Sequence, residues 1–212
     1  MSLNIRNSQN TKSIVRHPSA ATTPGSRTEL NELDRDKRSG KKPAFIEGGS
    51  KPNSSVTFRI PGEADGALMW EMARDSGRLD LNSAYFYLAM SRWFGDSCRI
   101  AVDEAENSPV GFVLGFRQPA SPDTLFVWQI AVAESRRGQG IAGKLLDEVT
   151  GQEEIRYVEA TVAPSNAGSR AMFEKWARSR GLEVGVSPGF EERCFPGHAH
   201  EREELYRIGP IR

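Results

Sequence analysis

Two glycines stand directly before a helix-like segment in the middle of the 212-residue chain. Gly138 and Gly140 lack a Cβ atom, so the backbone there can turn sharply and come close to a ligand. The first N–H groups of the helix that follows have no partners within the helix. Together with the positive end of the helix dipole, such groups favour an anion such as a pyrophosphate. The sequence therefore predicts a phosphate-binding turn.

The spacing around these glycines is compared with the common phosphate loops. Gly138, Gly140 and Gly143 also fit the G-x-G-x-x-G of nicotinamide cofactors, but glycines before a helix are a weak signal by themselves, and the G-K-S/T of nucleoside triphosphatases is absent. Residues 137–142, with the sequence RGQGIA, resemble instead the R-x-x-G-x-A loop of the GNAT acetyltransferase superfamily. In that superfamily the loop holds the pyrophosphate of coenzyme A.

The GNAT resemblance implies a fold and a co-substrate, acetyl-CoA. The expected fold is α+β, with helices on both faces of a mixed, mostly antiparallel sheet whose central strands splay apart. Residues 164–173 resemble the second coenzyme-binding segment, where an Asn starts a helix beside the pantetheine. Asn166 can also be a simple helix cap, and the two roles can coexist. The coenzyme contacts implied by resemblance are Ile130, Ala131, Val132, Arg137, Gly138, Gln139, Gly140, Ile141, Ala142, Asn166 and Ser169.

The resemblance implies one catalytic group of the superfamily, the oxyanion donor, but this sequence lacks another, the tyrosine acid. An N–H group of the strand before the loop, at residues 130–132, is implied as the donor to the thioester oxygen. Many members also carry a tyrosine that protonates the leaving thiolate, but this sequence has Phe173 at that position. Water or another side chain is expected to do this work.

Three further segments resemble one family more specifically. They are residues 78–85 (RLDLNSAY), 123–129 (DTLFVWQ) and 197–201 (GHAHE), and they resemble the L-2,4-diaminobutyrate N4-acetyltransferases of ectoine biosynthesis. This resemblance extends from about Val56 to the C-terminus. It implies direct attack of the 4-amino group on the thioester in a ternary complex, which gives N4-acetyl-diaminobutyrate without a covalent acetyl-enzyme.

The proposed acceptor carries two ammonium groups and one carboxylate, so its site should contain carboxylates. Asp80 and Glu201 are expected to hold and orient the ammonium groups, and either could pass a proton to water. That step is needed because an alkylamine with a pKa of about 10 is almost wholly protonated at neutral pH. The full predicted amine site is Asp80, Asn82, Ser83, Tyr85, Trp128, Gln129, His198 and Glu201.

Some of these charged residues also have a simpler structural interpretation. Asp80 could cap the second predicted helix. His198 and His200 lie among charged residues, so a solvated surface is their default interpretation. A metal site is not expected, because a two-histidine site would lack its remaining ligands.

The aromatic residues and the glutamine have competing interpretations as well. Phe126 and Trp128 alternate correctly for a core strand, and Tyr85 fits a buried helix stripe. Gln129 is a polar amide in an otherwise apolar strand, so it needs partners if it is buried.

Two other functions remain open at this stage. A GNAT enzyme for another amine, such as a polyamine, an aminoglycoside or a protein N-terminus, would share the coenzyme loop. A non-catalytic acyl-CoA sensor would share it too, and the absence of tyrosine at Phe173 favours that alternative.

The elements that must position these residues follow the order βααβββαβα, with a partly β stretch at the C-terminus. Ser83 is the predicted cap of the second helix, whose buried stripe is predicted to be Tyr85, Leu88, Ala89 and Trp93. The strands are predicted at 57–60, 98–102, 110–116, 124–132 and 156–162, and the helices from 64, from 83, at 139–150 and at 165–180.

Composition limits the remaining possibilities. The 28 basic and 28 acidic residues balance, which gives no indication of nucleic-acid or membrane binding. Residues 1–54 are basic and rich in polar residues and are predicted to form a flexible tail, so the GNAT domain is placed at 55–212. Two distant cysteines and no apolar signal or membrane segment are typical of a cytoplasmic protein. By resemblance, a homodimer is expected.

Overall fold

The structure is a computed structural model that describes residues 55–77, 79–152, 154–198 and 200–212. The predicted tail at residues 1–54 lies outside these ranges, as does the side chain of His198. No helix within them is long and apolar enough to cross a membrane. The elements are β1 (Val56–Arg59), α1 (Asp65–Ser76), α2 (Ala84–Trp93), β2 (Arg99–Asp103), β3 (Ser108–Gln118), β4 (Ser121–Val132), α3 (Ile141–Thr150), β5 (Tyr157–Val162), α4 (Ala167–Ser179), β6 (Glu183–Pro188) and β7 (Glu204–Gly209).

The strands of the described region form one sheet in the order β1-β2-β3-β4-β5-β7-β6. All neighbouring strands are antiparallel except β4 and β5, which run parallel. A parallel pair cannot be joined by a tight turn, so the chain crosses over through α3. The predicted mixed, mostly antiparallel sheet is therefore confirmed, with its parallel pair in the interior.

Helices pack on both faces of the sheet. On one face, Leu145 of α3 and Trp176 of α4 belong to a core that includes Val158 of β5. On the other face, Met69 of α1 and Tyr87 of α2 contribute to a second core. Burial of these side chains stabilises the sheet by about 25 cal/mol for each Å² of apolar surface removed from water. The two cores hold the central strands in place while their ends remain available for a site.

The buried face of α2 differs from the predicted one. Tyr85, Leu88 and Trp93 were predicted to be buried, but they are 67%, 40% and 62% exposed. Tyr87 and Met90 are buried instead. The helix, AYFYLAMSRW, is apolar on nearly every side, so its periodicity does not select one face. Packing against the sheet decides which side is covered.

A bulge at Trp128 breaks the predicted alternation of β4. Leu114 of β3 pairs with Gln129, and the next residue, Gly115, pairs with Val127, so Trp128 is the extra residue of β4. One extra residue changes which side chains share a face. Val127 therefore joins the α3–α4 core, whereas Gln129 contacts α2. Trp128 is 49% exposed, and the interpretation of this residue as core is wrong.

Candidate active site

The two central strands, β4 and β5, diverge in the middle of the sheet. Their register partners end at Phe126 and Glu159, although β4 continues to Val132 and β5 to Val162. A cavity of about 800 Å³ opens between them. The splayed strands that the resemblance implied are therefore present, and the cavity lies where they separate.

Alternate peptide groups of β4 face this gap. The N–H of Ala133 donates to the carbonyl of Val110 on β3 at 2.9 Å. In an antiparallel ladder, residues whose peptide groups point to one neighbouring strand alternate with those that point away from it. The peptide groups of Ile130 and Val132 therefore point towards the gap, whereas those of Ala131 point towards β3. Of the three predicted backbone contacts, Ile130 and Val132 have the suitable orientation.

The predicted phosphate loop joins β4 to α3 and allows close approach of a ligand. Gly138 and Gly140 have φ angles of 79° and 78°, in the left-handed region that favours glycine. A Cβ atom placed on either residue would meet nothing within 4 Å. Gly140 is also the N-cap of α3, where no side chain caps the helix. The open backbone and the helix start fit the pyrophosphate of coenzyme A.

A buried ion pair between Arg136 and Asp103 stabilises this loop. Arg136 contacts Asp103, whose side chain is fully buried and also accepts two backbone N–H groups at 2.9 and 3.2 Å. A buried carboxylate requires such partners. The adjacent Arg137 is directed elsewhere: with Ala142 it borders a smaller cavity of about 200 Å³. The pair of Arg136 and Asp103 therefore supports the loop, and Arg137 remains at the border of the smaller cavity.

The start of α4 connects the two cavities. Asn166 is the N-cap, and its Oδ1 accepts the N–H of Ser169 at 3.1 Å, which confirms the predicted cap. Ile130, Asn166 and Ser169 line both cavities, so the cavities adjoin. Among the other predicted coenzyme residues, Gln139 is exposed and the Ile141 side chain is buried in the core. Only the peptide group of Ile141 is available to a ligand.

A buried amide positions Asp80 at the other end of the larger cavity. The Oε1 of Gln129 accepts from the Tyr87 hydroxyl at 2.9 Å, and its Nε2 donates to the Asp80 carbonyl at 2.9 Å. Gln129 thus has the partners that a buried amide needs. Asp80 does not cap α2, because the Ser83 hydroxyl accepts the N–H of Phe86. The carboxylate of Asp80 lines the cavity instead.

His200 lies against Asp80 in the cavity wall. Its Nδ1 is 2.7 Å from the carbonyl oxygen of Glu201, and its Nε2 is 3.3 Å from Asp80 Oδ2 and 3.7 Å from Glu203 Oε1. Phe195 stacks on the ring at 4.3 Å between centroids. The bond to the Glu201 carbonyl and the two carboxylates raise the pKa of His200 above its usual 6.5, although burial opposes them. The interpretation of His200 as solvated surface is wrong.

Glu201 and Trp128 complete the wall. The carboxylate of Glu201 accepts hydrogen bonds from the hydroxyl and the N–H of Ser165, just before α4. Trp128 packs against Phe86, with 5.5 Å between ring centroids. Five of the predicted amine-site residues therefore line one cavity: Asp80, Asn82, Trp128, Gln129 and Glu201.

The structure does not bring the other predicted amine-site residues to this wall. Ser83 is occupied in capping α2, and Tyr85 lies on the outer face of that helix. The side chain of His198 lies outside the described residues. Sequence reasoning missed His200 and Glu203 as site residues. The GHAHE segment was the available signal, but the 3-10 turn Pro196–His198 determines which side chains then face the cavity.

The cavity wall is acidic. Asp80, Glu201 and Glu203 line it, and the described lining residues include no Lys or Arg. Such a wall favours a cationic acceptor next to the coenzyme loop. Within the described part of the chain, no group of three or more His, Cys, Asp or Glu side chains is arranged to hold a metal ion.

Comparison with known proteins agrees with this geometry. The pattern of the Acetyltransferase (GNAT) family matches residues 67–177. The L-2,4-diaminobutyric acid acetyltransferase of Shouchella clausii is 47% identical over 160 residues, which cover 74% of this chain and 88% of that protein. The enzyme of the same name from Streptomyces coelicolor is 43% identical over 155 residues, covering 71% and 91%. The chain belongs to the L-2,4-diaminobutyric acid acetyltransferases of the GNAT family.

A solved structure of this acetyltransferase family shares the fold. The diaminobutyrate acetyltransferase of Paenibacillus lautus, determined with L-2,4-diaminobutyric acid and coenzyme A, superposes with a TM-score of 0.70 at 43% identity. The match covers 74% of this chain and 96% of that one. Ard1 from Thermoplasma volcanium, at 17% identity and a TM-score of 0.56, is similar in fold alone.

Proposed function

We propose that this chain transfers the acetyl group of acetyl-CoA to the 4-amino group of L-2,4-diaminobutyrate in a ternary complex, giving N4-acetyl-L-2,4-diaminobutyrate. Residues 55–212 form the proposed catalytic domain, and the reaction is a step of ectoine biosynthesis. The observation that carries this proposal is a pair of adjoining cavities, one with an acidic wall and the other bordered by the coenzyme loop. The named activity of the relatives supports it.

The acidic end is suited to a diamine. Asp80 and Glu201 line the cavity from segments far apart in the chain, and each can pair with one ammonium group. Hydrogen bonds to charged groups contribute about 1.5–3 kcal/mol each. Two such contacts fix the orientation of a short chain, so that one amine points towards the diverging strands.

The coenzyme end supplies donors for the thioester. When the amine attacks, negative charge develops on the carbonyl oxygen, and the N–H groups of Ile130 and Val132 point into the gap where that oxygen would lie. One such fixed donor stabilises a transition state by about 2.7–4 kcal/mol. Acetyl-CoA supplies the activated acetyl group, and the coenzyme A thiolate is the leaving group.

The cysteines favour direct attack over an acetyl-cysteine intermediate. Cys98 is buried, and this burial raises the pKa of its thiol to about 11, so it is not nucleophilic at neutral pH. Cys194 is exposed and does not line the cavity. Neither thiol is placed to relay the acetyl group.

We also propose that two copies of the chain associate. The outer face of α2 presents Tyr85, Leu88 and Trp93, all exposed and apolar, which supplies area for a self-complementary contact. Light scattering of the purified protein measures the mass directly, and a mass of one chain at working concentration would contradict this association.

The proposed activity is tested by following thiol release from acetyl-CoA over a panel of amines. Diaminobutyrate should be acetylated with the highest kcat/KM, and nuclear magnetic resonance of the product should place the acetyl group on the 4-amino nitrogen. Higher kcat/KM for a polyamine or an aminoglycoside would assign another acceptor. Binding of acetyl-CoA without turnover of any amine would favour a sensor.

A further inference from the structure

The hydrogen bonds of His200 determine which ring nitrogen can exchange a proton. A carbonyl oxygen only accepts, so Nδ1, 2.7 Å from the Glu201 carbonyl, must carry a hydrogen. The other nitrogen, Nε2, lies in the cavity wall beside the Asp80 carboxylate. When the ring is neutral, its lone pair is therefore on Nε2. This is the arrangement of an oriented general base.

The ring is also held in a single orientation. Phe195 stacks on it with an angle of 22° between the planes, and the Glu201 carbonyl fixes its rotation. Its side chain is 25% exposed, compared with 88% for the neighbouring Asp80 carboxylate. A base fixed in this way does not lose the entropy of ordering its side chain during each turnover.

The carboxylates of Asp80 and Glu203 lie within 4 Å of the imidazole, and Glu201 lines the same cavity. Asp80 approaches from the connection before α2, and Glu201 and Glu203 belong to the segment before β7. Together with the carbonyl bond, Asp80 and Glu203 raise the pKa of His200. A base with a pKa near the working pH is efficient, because it is partly deprotonated and still a strong acceptor.

The carboxylates of Glu201 and Asp80 have roles at this site other than accepting the proton. Glu201 accepts two hydrogen bonds from Ser165 at the start of α4, which fix it as an anchor. Asp80 is exposed to the cavity and can pair with an ammonium group while remaining within 3.3 Å of His200 Nε2. An ammonium held by Asp80 is thereby delivered next to the imidazole.

From this arrangement we infer that His200 is the catalytic proton acceptor for the reacting ammonium group, an inference that rests on the function proposed above. One proton of the 4-ammonium group passes to Nε2, and the freed lone pair forms the bond to the acetyl carbon. The carbon–sulfur bond breaks with its electron pair on sulfur. A second proton from the nitrogen passes through water to the thiolate, and the imidazolium returns its proton to solvent.

His200→Asn tests this role, because the Asn amide can still donate to the Glu201 carbonyl but cannot accept a proton at the Nε2 position. Initial rates would be measured from about pH 5.5 to about pH 10 with diaminobutyrate and acetyl-CoA. In the wild type, kcat should fall on the acid side as His200 becomes protonated. In the variant, the inflection that His200 causes should be lost, the fall in rate should begin at the amine pKa instead, and kcat near neutral pH should fall about a hundredfold or more.

The remaining rate of the variant gives a second signature. Without the base, only the free amine reacts, so the rate should rise about tenfold for each pH unit until the amine pKa near 10 is reached. Loss confined to KM, with the acid limb unchanged, would overturn the inference and leave His200 as a positioning residue. A kcat equal to that of the wild type would overturn it as well.

Controls separate this result from misfolding and from failure of the proposed function. Glu192→Gln changes an exposed charge on the same connection and should retain wild-type rates. If His200→Asn fails to fold, His200→Gln is tested for the same two signatures, with melting temperature and acetyl-CoA affinity measured alongside. A wild type that does not acetylate diaminobutyrate would refute the proposed function. Normal wild-type turnover with an unaffected variant refutes only the role of His200.

Discussion

The two ends of the cavity are built in different ways. The coenzyme end comes mainly from one continuous stretch, from Ile130 to Ala142, with the start of α4 beside it, and it uses mainly peptide groups. The amine end joins side chains from three segments, and Asp80 and His200 are 120 positions apart in the chain. The spacing of neighbouring residues is enough to predict a contiguous loop. The amine end, in contrast, forms only when distant segments pack together.

This difference predicts how each end responds to substitution. Peptide groups are present whatever the side chain, so the coenzyme end should be sensitive mainly to changes in backbone conformation. The amine end depends on charges and amides, so isosteric polar substitutions should affect it strongly. Four experiments test this contrast.

The largest effect is expected from removing an anchoring charge. Asp80→Asn and Glu201→Gln keep the shape of each side chain but lose a charge-assisted contact, which contributes about 1.5–3 kcal/mol, or roughly tenfold to a hundredfold in kcat/KM for diaminobutyrate. Acetyl-CoA affinity should remain unchanged. Asp75→Asn, on the exposed surface of α1, is the matched control. Wild-type kcat/KM in both variants would remove these carboxylates from the amine site.

A somewhat smaller effect is expected from the amide between Tyr87 and Asp80. Gln129→Met retains length but leaves the Tyr87 hydroxyl and the Asp80 carbonyl without this partner. The free energy of unfolding should fall by about 1–3 kcal/mol, because buried polar groups lose their hydrogen bonds. Denaturant unfolding measures this loss. KM for the amine should rise as Asp80 loses its support, and an unchanged KM would separate Gln129 from the amine end.

The coenzyme end is tested by two glycines with the same backbone conformation. Gly140→Ala introduces a Cβ at a φ of 78°, which costs about 1–2 kcal/mol in the left-handed conformation. Acetyl-CoA affinity by calorimetry should therefore fall about five- to thirtyfold. Gly181→Ala, at a φ of 64° beyond α4, carries a similar strain away from the loop and should alter stability alone. Equal effects of both variants on affinity would exclude a specific role for the loop.

The smallest effect concerns stability and pH. The folded pKa of His200 is raised above its unfolded value of 6.5, so its ionic contacts stabilise the fold fully below that pH. This contribution is lost as pH rises through the folded pKa. The difference in melting temperature between wild type and His200→Asn should therefore be larger at about pH 5.5 than at about pH 8.5. A difference that grows with pH would contradict the raised pKa.

The features that could be predicted from sequence are mostly local. Ser83 and Asn166 are confirmed as helix caps, because a short polar side chain before an apolar helical run has few other roles. The sharp backbone turn predicted at the paired glycines is present, because Gly138 and Gly140 both have left-handed φ angles. The order of strands and helices followed from periodicity, which reports on neighbours within one element.

The features that could not be predicted depend on contacts between elements. Periodicity could not identify the buried face of α2, since Tyr87 was covered while the equally apolar Tyr85 stayed exposed. The bulge at Trp128 leaves no trace in an alternating pattern. His200 and His198 occur in the same short segment, and only the fold places the His200 ring beside Asp80.

The diverging strands have a consequence for handling the protein without its coenzyme. Where β4 leaves β5, both strands present peptide groups that are not paired with each other, in the interior of a sheet rather than at its rim. Unpaired strand edges can add a strand from another molecule, which is a route to aggregation. The pantetheine arm of coenzyme A would cover these groups much as an extra strand does. Coenzyme A, added to the stored protein, should therefore reduce aggregation, in addition to its role in the reaction.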